Sequence, residues 1–136
     1  MMKVVIDTNV LLVSIARSSK YRWIFDLILK GKVELLLSNE IMNEYFEIIA
    51  MKADGVVAQH VINALLLLPN VTKIDIYYHW NLIAEDSDDN KFVDCAVAGN
   101  AAFIVSEDKH FRNLSSIGFP VVKVLSIEDF YKAVNA

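Results

Sequence analysis

Residues 3–9 read Lys-Val-Val-Ile-Asp-Thr-Asn, and residues 102–108 read Ala-Phe-Ile-Val-Ser-Glu-Asp. Each stretch is a short β-like run that leads directly into acidic and polar residues. Parallel strands would carry Asp7 and Asp108 to the same edge of a sheet, and open α/β sheets bind ligands at that edge. These two stretches therefore predict both the sheet and the place where chemistry occurs.

Outward from these runs, β-like segments alternate with longer helical ones, which is typical of a parallel sheet covered by helices. We therefore predict one α/β domain over residues 1–136, with element boundaries accurate to about 2–4 residues. The predicted strands lie near residues 3–6, 33–37, 72–76, 102–106 and 120–124. The predicted helices are Thr8–Ser18, Tyr21–Lys30, Ser38–Lys52, Val56–Leu68, Asp89–Asn100 and Ser126–Val134.

The composition is that of a globular protein, because 55% of the residues are hydrophobic and the net charge is only −4. No apolar run reaches the length that spans a bilayer, so we expect a cytoplasmic protein without membrane contact. Cys95 is the one cysteine in the sequence, and we interpret it as a buried small apolar residue.

The acidic balance argues against broad electrostatic binding of nucleic acid, which basic surfaces normally provide. Any contact with nucleic acid must therefore be confined to a small basic part of the surface. Two short basic groups occur, one at Arg17, Lys20 and Arg22 and the other at Lys109, His110 and Arg112, and ordinary solvated surface explains them at least as well. The three histidines, His60, His79 and His110, are scattered and are predicted to be structural or surface residues.

Two further carboxylates are predicted to join Asp7 and Asp108. Asp89 begins the helix before the fourth strand, and in a βαβ layout that helix starts at the carboxyl edge of the sheet. Glu44 shares one helical face with Ile41, Tyr45 and Ile48, so it borders the core stripe. Two of the four acids have a simpler explanation: Asp7, which follows a strand, could be the N-cap of the next helix, and Glu44 could equally extend into solvent.

Close carboxylates repel and raise one another's pKa unless a cation neutralises them. Oxygen ligands without histidine or cysteine suit Mg²⁺ or Mn²⁺, which can activate water and offset charge on a phosphate. A calcium loop is excluded because Lys91 stands where its glycine is required and Val97 where its glutamate is required.

Four motifs, in this order and spacing, resemble the PIN-domain family, with the nearest branch being the VapBC-like toxins of prokaryotic toxin–antitoxin pairs. The resemblance covers nearly the whole chain. The motifs are Val5-Ile6-Asp7-Thr8-Asn9, Leu37-Ser38 through Glu44-Tyr45, Asp86-Ser87-Asp88-Asp89-Asn90-Lys91-Phe92, and Ile104-Val105-Ser106-Glu107-Asp108-Lys109.

The resemblance implies a three-layer α/β/α sandwich with a central parallel sheet, and Mg²⁺- or Mn²⁺-dependent cleavage of single-stranded RNA. It also implies a homodimer restrained by an antitoxin protein. The family's four acids match Asp7, Glu44, Asp89 and Asp108, and its supporting polar positions match Asn9 and Ser106.

The chain departs from the branch at three positions: Ser87 replaces the usual proline, Ser106 the usual threonine, and Glu107 the usual glycine. Ser106 keeps the hydroxyl. Glu107 adds a carboxylate and a Cβ to a tight turn, which bears on the local backbone and on metal binding.

We predict an endoribonuclease whose metal is held mainly by Asp7, Asp89 and Asp108, while Glu44 binds a second metal or orients the attacking water. Asp94 lies five residues after Asp89 on the same helix and is predicted to support the ligands without binding the same ion. The alternative function is a PIN-like binding module with little turnover that acts through a protein partner. The acidic cluster favours catalysis.

Overall fold

In the computed structural model, residues 1–83 and 87–136 are described. Within these ranges a parallel sheet of five strands has the order β3-β2-β1-β4-β5. The strands are Met2–Ile6 (β1), Val33–Leu37 (β2), Val71–Lys73 (β3), Phe103–Val105 (β4) and Val124–Leu125 (β5). Every neighbouring pair is parallel, so all carboxyl ends lie along one edge.

The helices of the described residues connect these strands. They are Thr8–Ser14 (α1), Arg22–Leu29 (α2), Asn39–Lys52 (α3), Gly55–Leu67 (α4), Asn90–Ala98 (α5) and Ile127–Val134 (α6). Two 3₁₀ segments, Ser87–Asp89 and Lys109–Ser116, precede α5 and follow β4. None of these helices is long and apolar enough to cross a membrane.

Helices cover both faces of the sheet. Val4, Val5 and Ile6 are consecutive residues of the central strand, and each has 0% exposed surface. Since successive side chains of a strand point to opposite faces, both faces must be packed against other elements. The predicted three-layer α/β/α sandwich with a central parallel sheet is confirmed. Cys95 is buried in the same core, and burial, with a smaller contribution from the charge of Asp94, raises the pKa of its thiol to about 12.

Three predicted elements differ most from the structure. The first helix ends at Ser14 rather than Ser18, because the hydroxyls of Ser14 and Ser19 donate to backbone carbonyls and favour a turn. The third strand is Val71–Lys73 rather than 72–76. The last strand is Val124–Leu125 rather than 120–124, and Pro120 has no N–H to contribute to a strand ladder.

Candidate metal centre

The register of the two central strands places Asp7 and Ser106 side by side. Ile6 pairs with Val105, so the residues that follow them leave the sheet together. The Ser106 hydroxyl donates to Oδ2 of Asp7 at 2.7 Å and accepts from the backbone N–H of Asp108 at 3.0 Å. Ser106 therefore links the two strand-end acids, which is the supporting position that the sequence suggested for it.

Asp7 is held in a poor environment for a negative charge. Only 6% of its surface is exposed, and burial is the main reason why its pKa is raised above its usual value of 3.8. The Ser106 hydroxyl and the Thr8 backbone lower that pKa, whereas the charges of Asp108 and Glu44 raise it. A cation beside Asp7 would relieve this energetic cost.

Asp89 and Asp108 meet around His110. The Nδ1 atom of His110 lies 3.5 Å from Oδ2 of Asp89 and 3.2 Å from Oδ1 of Asp108. The backbone N–H of His110 also donates to Oδ1 of Asp108 at 2.9 Å. One possible ligand atom from each of the three residues lies within 4.8 Å of the other two.

His110 corrects the sequence interpretation, which treated it as a scattered structural or surface residue and the acidic site as lacking histidine. His110 follows Asp108 by two residues, and the 3₁₀ segment that begins at Lys109 places its imidazole beside the carboxylates. The Asp-x-His spacing in a tight turn is the signal that could have identified it. The donor set therefore contains an imidazole as well as carboxylates.

The side chains present fit a divalent cation. The carboxylates suit Mg²⁺ or Mn²⁺, and the imidazole of His110 also suits softer first-row metals. Ligand atoms at about 2.0–2.6 Å from one cation lie at most roughly 4–5 Å apart, and those of Asp89, Asp108 and His110 all lie within 4.8 Å of one another. Asp7 is coupled to the group through Ser106 and through the charge of Asp108. Among the described residues, these three carboxylates and His110 could hold a metal.

Glu44 faces inward rather than into solvent, which settles the choice that helical spacing left open. Its Oε2 accepts a hydrogen bond from the Thr8 hydroxyl, and its Oε1 lies 2.5 Å from the ammonium nitrogen of Lys91. Both carboxylate oxygens thus have a partner of this chain. Thr8 and Lys91 stand inside motifs quoted above, but their pairing across 36 and 47 residues could not be read from the sequence.

Tyr45, next to Glu44 on α3, fixes this helix to the end of β1. Its hydroxyl donates to the carbonyl of Ile6, immediately before Asp7, and its ring is fully buried. Burial raises the pKa of Tyr45 well above its usual range, so the hydroxyl stays protonated as a donor. The helix that carries Glu44 is therefore anchored beside Asp7.

Asp94 and Asn9 are not brought into the group of possible ligands. Asp94 is buried, with one carboxylate oxygen accepting from the backbone N–H of Trp80 at 2.9 Å and the other 3.0 Å from Nδ1 of His79. It holds the segment before residue 84 against α5. Asn9 is exposed on the first turn of α1.

The structure shows where two of the departures from the family pattern, Glu107 and Ser87, lie. Glu107 accepts a hydrogen bond from the N–H of Ile127 at 2.8 Å, so its carboxylate is committed to the start of α6. Ser87 begins the 3₁₀ segment that carries Asp89. Asp86, which opens the same motif, lies outside the described residues.

The chain is a three-layer α/β/α protein with acidic side chains along the carboxyl edge of its parallel sheet. A family model described as PIN domain matches residues 3–110, and the chain belongs to this family. No curated protein matches the sequence. Among solved structures it is similar to VapBC2 from Rickettsia felis, crystallised with a DNA fragment from their promoter. The TM-score is 0.63 at 17% identity, covering 92% of this chain and 98% of that chain. At this identity the likeness shows the fold.

Proposed function

We propose that this protein is an endoribonuclease that hydrolyses phosphodiesters of single-stranded RNA with a bound Mg²⁺ or Mn²⁺ ion. The observation that carries the proposal is the group formed by Asp89, Asp108 and His110, to which Ser106 links the buried carboxylate of Asp7. Asp7 is buried there with a raised pKa, and retaining such a group is costly unless a cation binds it. Membership of the PIN-domain family supports the same function.

The ion would be held by Asp7, Asp89 and Asp108, with His110 beside the last two. When bound, it supplies positive charge to the phosphate and lowers the pKa of water. Ser106 orients the Asp7 carboxylate by donating to Oδ2.

Glu44 serves the attacking water in this proposal. Its carboxylate is fixed by Thr8 and Lys91, which leaves it positioned to orient water and accept its proton as the water oxygen attacks phosphorus. The phosphorus–oxygen bond to the leaving nucleotide then breaks, that oxygen takes up a proton from solvent water, and Glu44 returns its proton to solvent. Lys91 supplies a fixed positive charge next to Glu44, where a second metal ion would otherwise be needed.

The biological role we propose is the toxin of a toxin–antitoxin pair, acting in the cytoplasm as a homodimer. The fold likeness to the VapBC2 complex supports this role. An antitoxin protein would restrain the nuclease by inserting an Arg or Lys side chain among the carboxylates, because a guanidinium can replace the charge of the metal.

The test is cleavage of a defined single-stranded RNA with Mn²⁺, with and without chelator. We expect cleavage by the wild type that chelator stops, and loss of at least about 100-fold in Asp7→Asn, as for removal of a principal electrostatic group. Asp129→Asn, an exposed acid on α6, is the matched control and should cleave normally. Equal cleavage by Asp7→Asn would refute the nuclease. A wild type that binds RNA and a partner protein without turnover would favour the binding module.

A further inference from the structure

A cavity of about 630 Å³ adjoins the metal centre. It lies between the 3₁₀ segment Lys109–Ser116 and the residues leading into β5. Ser106 and Asp108 line it, so one wall is shared with the metal centre. The volume falls within the range of about 300–1,000 Å³ that is typical of small-molecule sites.

The other walls combine positive charge with apolar surface. Arg112 and Lys123 both line the cavity and are both exposed to solvent. Phe111 and Val122 are buried and form apolar lining, and the neighbouring Val121 is 80% exposed. Cations beside an apolar wall match a nucleotide, which carries an anionic phosphate and a base with apolar faces.

Two acidic residues, Glu107 and Asp108, also line the cavity, and their charges would repel a bound anion to different extents. Glu107 lines the cavity, but its carboxylate accepts from the N–H of Ile127 at the start of α6. Asp108 belongs to the group of possible metal ligands, where a cation would neutralise it. With Asp108 neutralised, the two cations Arg112 and Lys123 outnumber the one remaining carboxylate of the lining, Glu107, which is turned toward α6.

We propose that this cavity binds the RNA nucleotide adjacent to the phosphodiester that is cut. Arg112 and Lys123 pair with its phosphate, and the apolar wall contacts its base. The inference rests on the proposed nuclease function and specifies where the strand leaves the metal centre. A protein of net charge −4 needs such a local basic site to hold a polyanion near its carboxylates.

The test compares two double variants in an Asp7→Asn background, where binding is measured without turnover. Arg112→Gln with Lys123→Gln alters the cavity. The control, Lys30→Gln with Lys32→Gln, removes two positive charges as well. These exposed lysines precede β2, at the amino-terminal edge of the sheet, away from the carboxyl edge that carries the cavity. Fluorescence anisotropy with a labelled single-stranded RNA gives Kd over a series of salt concentrations, and thermal unfolding checks that both variants fold.

We expect the cavity variant to raise Kd by roughly tenfold or more, because charge-assisted contacts are lost. The slope of log Kd against log salt concentration should decrease by about 1.4. This is about 0.7 for each lost contact with a phosphate of single-stranded nucleic acid. In the otherwise wild-type enzyme, KM should rise while kcat changes less than about threefold.

Equal Kd for the two double variants would overturn the proposal, whether both stay near the parent value or both rise. Loss of binding to a partner protein with RNA binding intact would also overturn it and make the cavity a protein-docking site. If the wild type cleaves no RNA with Mn²⁺, the nuclease function fails separately, because the anisotropy comparison does not depend on turnover.

Discussion

The ammonium nitrogen of Lys91 lies 2.5 Å from Oε1 of Glu44 and joins the first turn of α5 to α3. The side chains are 13% and 25% exposed, respectively, so water screens this pair only in part. One of the four carboxylates predicted from the sequence thus has a lysine as counterion, and the other three, Asp7, Asp89 and Asp108, are the proposed metal ligands.

Lys91→Met should therefore change both stability and the response to metal. Removing one partner of a partly buried charged pair should lower the free energy of unfolding by about 1–3 kcal/mol. The rise in Tm on adding Mn²⁺ should become larger, because Glu44 adds an uncompensated charge to the cluster. Lys91→Arg keeps the charge and serves as the control in calorimetric scans with Mn²⁺ or chelator. An identical metal response in the two variants would contradict this account.

Asp7→Asn should stabilise the metal-free protein near neutral pH. Burial raises the pKa of Asp7, so its contribution to stability is fully present below 3.8, the usual value, and is lost as pH rises through the raised pKa. The charged form therefore opposes folding at about pH 7, and asparagine removes that cost. Urea unfolding in chelator should show a higher midpoint for the variant at about pH 7 and a vanishing difference below about pH 3.8.

Metal reverses the order in the same experiment. If the proposed site is correct, Mn²⁺ should stabilise the folded wild type by mass action, whereas Asp7→Asn should gain much less. A wild type that is more stable than Asp7→Asn in chelator at neutral pH would show that Asp7 is not strained by burial.

Ser106→Ala should loosen the metal centre without removing a ligand. The substitution deletes the hydrogen bond to Oδ2 of Asp7 and leaves the Asp108 N–H without the hydroxyl as acceptor. Loss of such an orienting partner typically weakens metal affinity by about 10–100-fold. Ser106→Thr keeps the hydroxyl and should stay within about threefold of the wild type. Titration calorimetry with Mn²⁺ measures both, and equal affinities in the two variants would argue against an orienting role.

The parts of the site that sequence could predict are those set by regular structure. Asp7, Ser106 and Asp108 follow strands, and parallel register brings strand ends together whatever the rest of the chain does. For Glu44 the sequence predicted the helix face but not the contacts, because helical periodicity does not identify the residues that lie opposite that face. The fold was predictable for the same reason, since buried strands and amphipathic helices leave a periodic signal.

The parts that sequence could not predict depend on irregular backbone and distant contacts. His110 reaches Asp89 and Asp108 through a 3₁₀ turn that has no hydrophobic period. The pairing of Lys91 with Glu44 spans 47 residues. Asp94 contacts His79 and the backbone of Trp80, which lie in a nonhelical segment. No sequence pattern predicts the path of such a segment.

Asp89 is a proposed metal ligand and Asp94 a proposed structural acid, and the two lie only five residues apart. Asp89 is 8% exposed and lies in the group with Asp108 and His110, whereas Asp94 is 3% exposed and holds Trp80 and His79. We expect Asp89→Asn to abolish both the Mn²⁺-induced rise in Tm and RNA cleavage, with activity falling at least about 100-fold.

Asp94→Asn should keep the response to Mn²⁺ and a measurable part of the cleavage, because an amide can still accept from the Trp80 N–H and donate to His79. Asp94→Ala should instead lower the free energy of unfolding by about 1–3 kcal/mol, since the partly buried Trp80 N–H loses its acceptor. Urea unfolding, Tm with Mn²⁺ and cleavage are measured on all three variants. If Asp94→Asn loses the Mn²⁺ response while Asp89→Asn retains it, the two roles are reversed. If Asp94→Ala is as stable as the wild type, the hydrogen bonds to Trp80 and His79 do not hold that segment to α5.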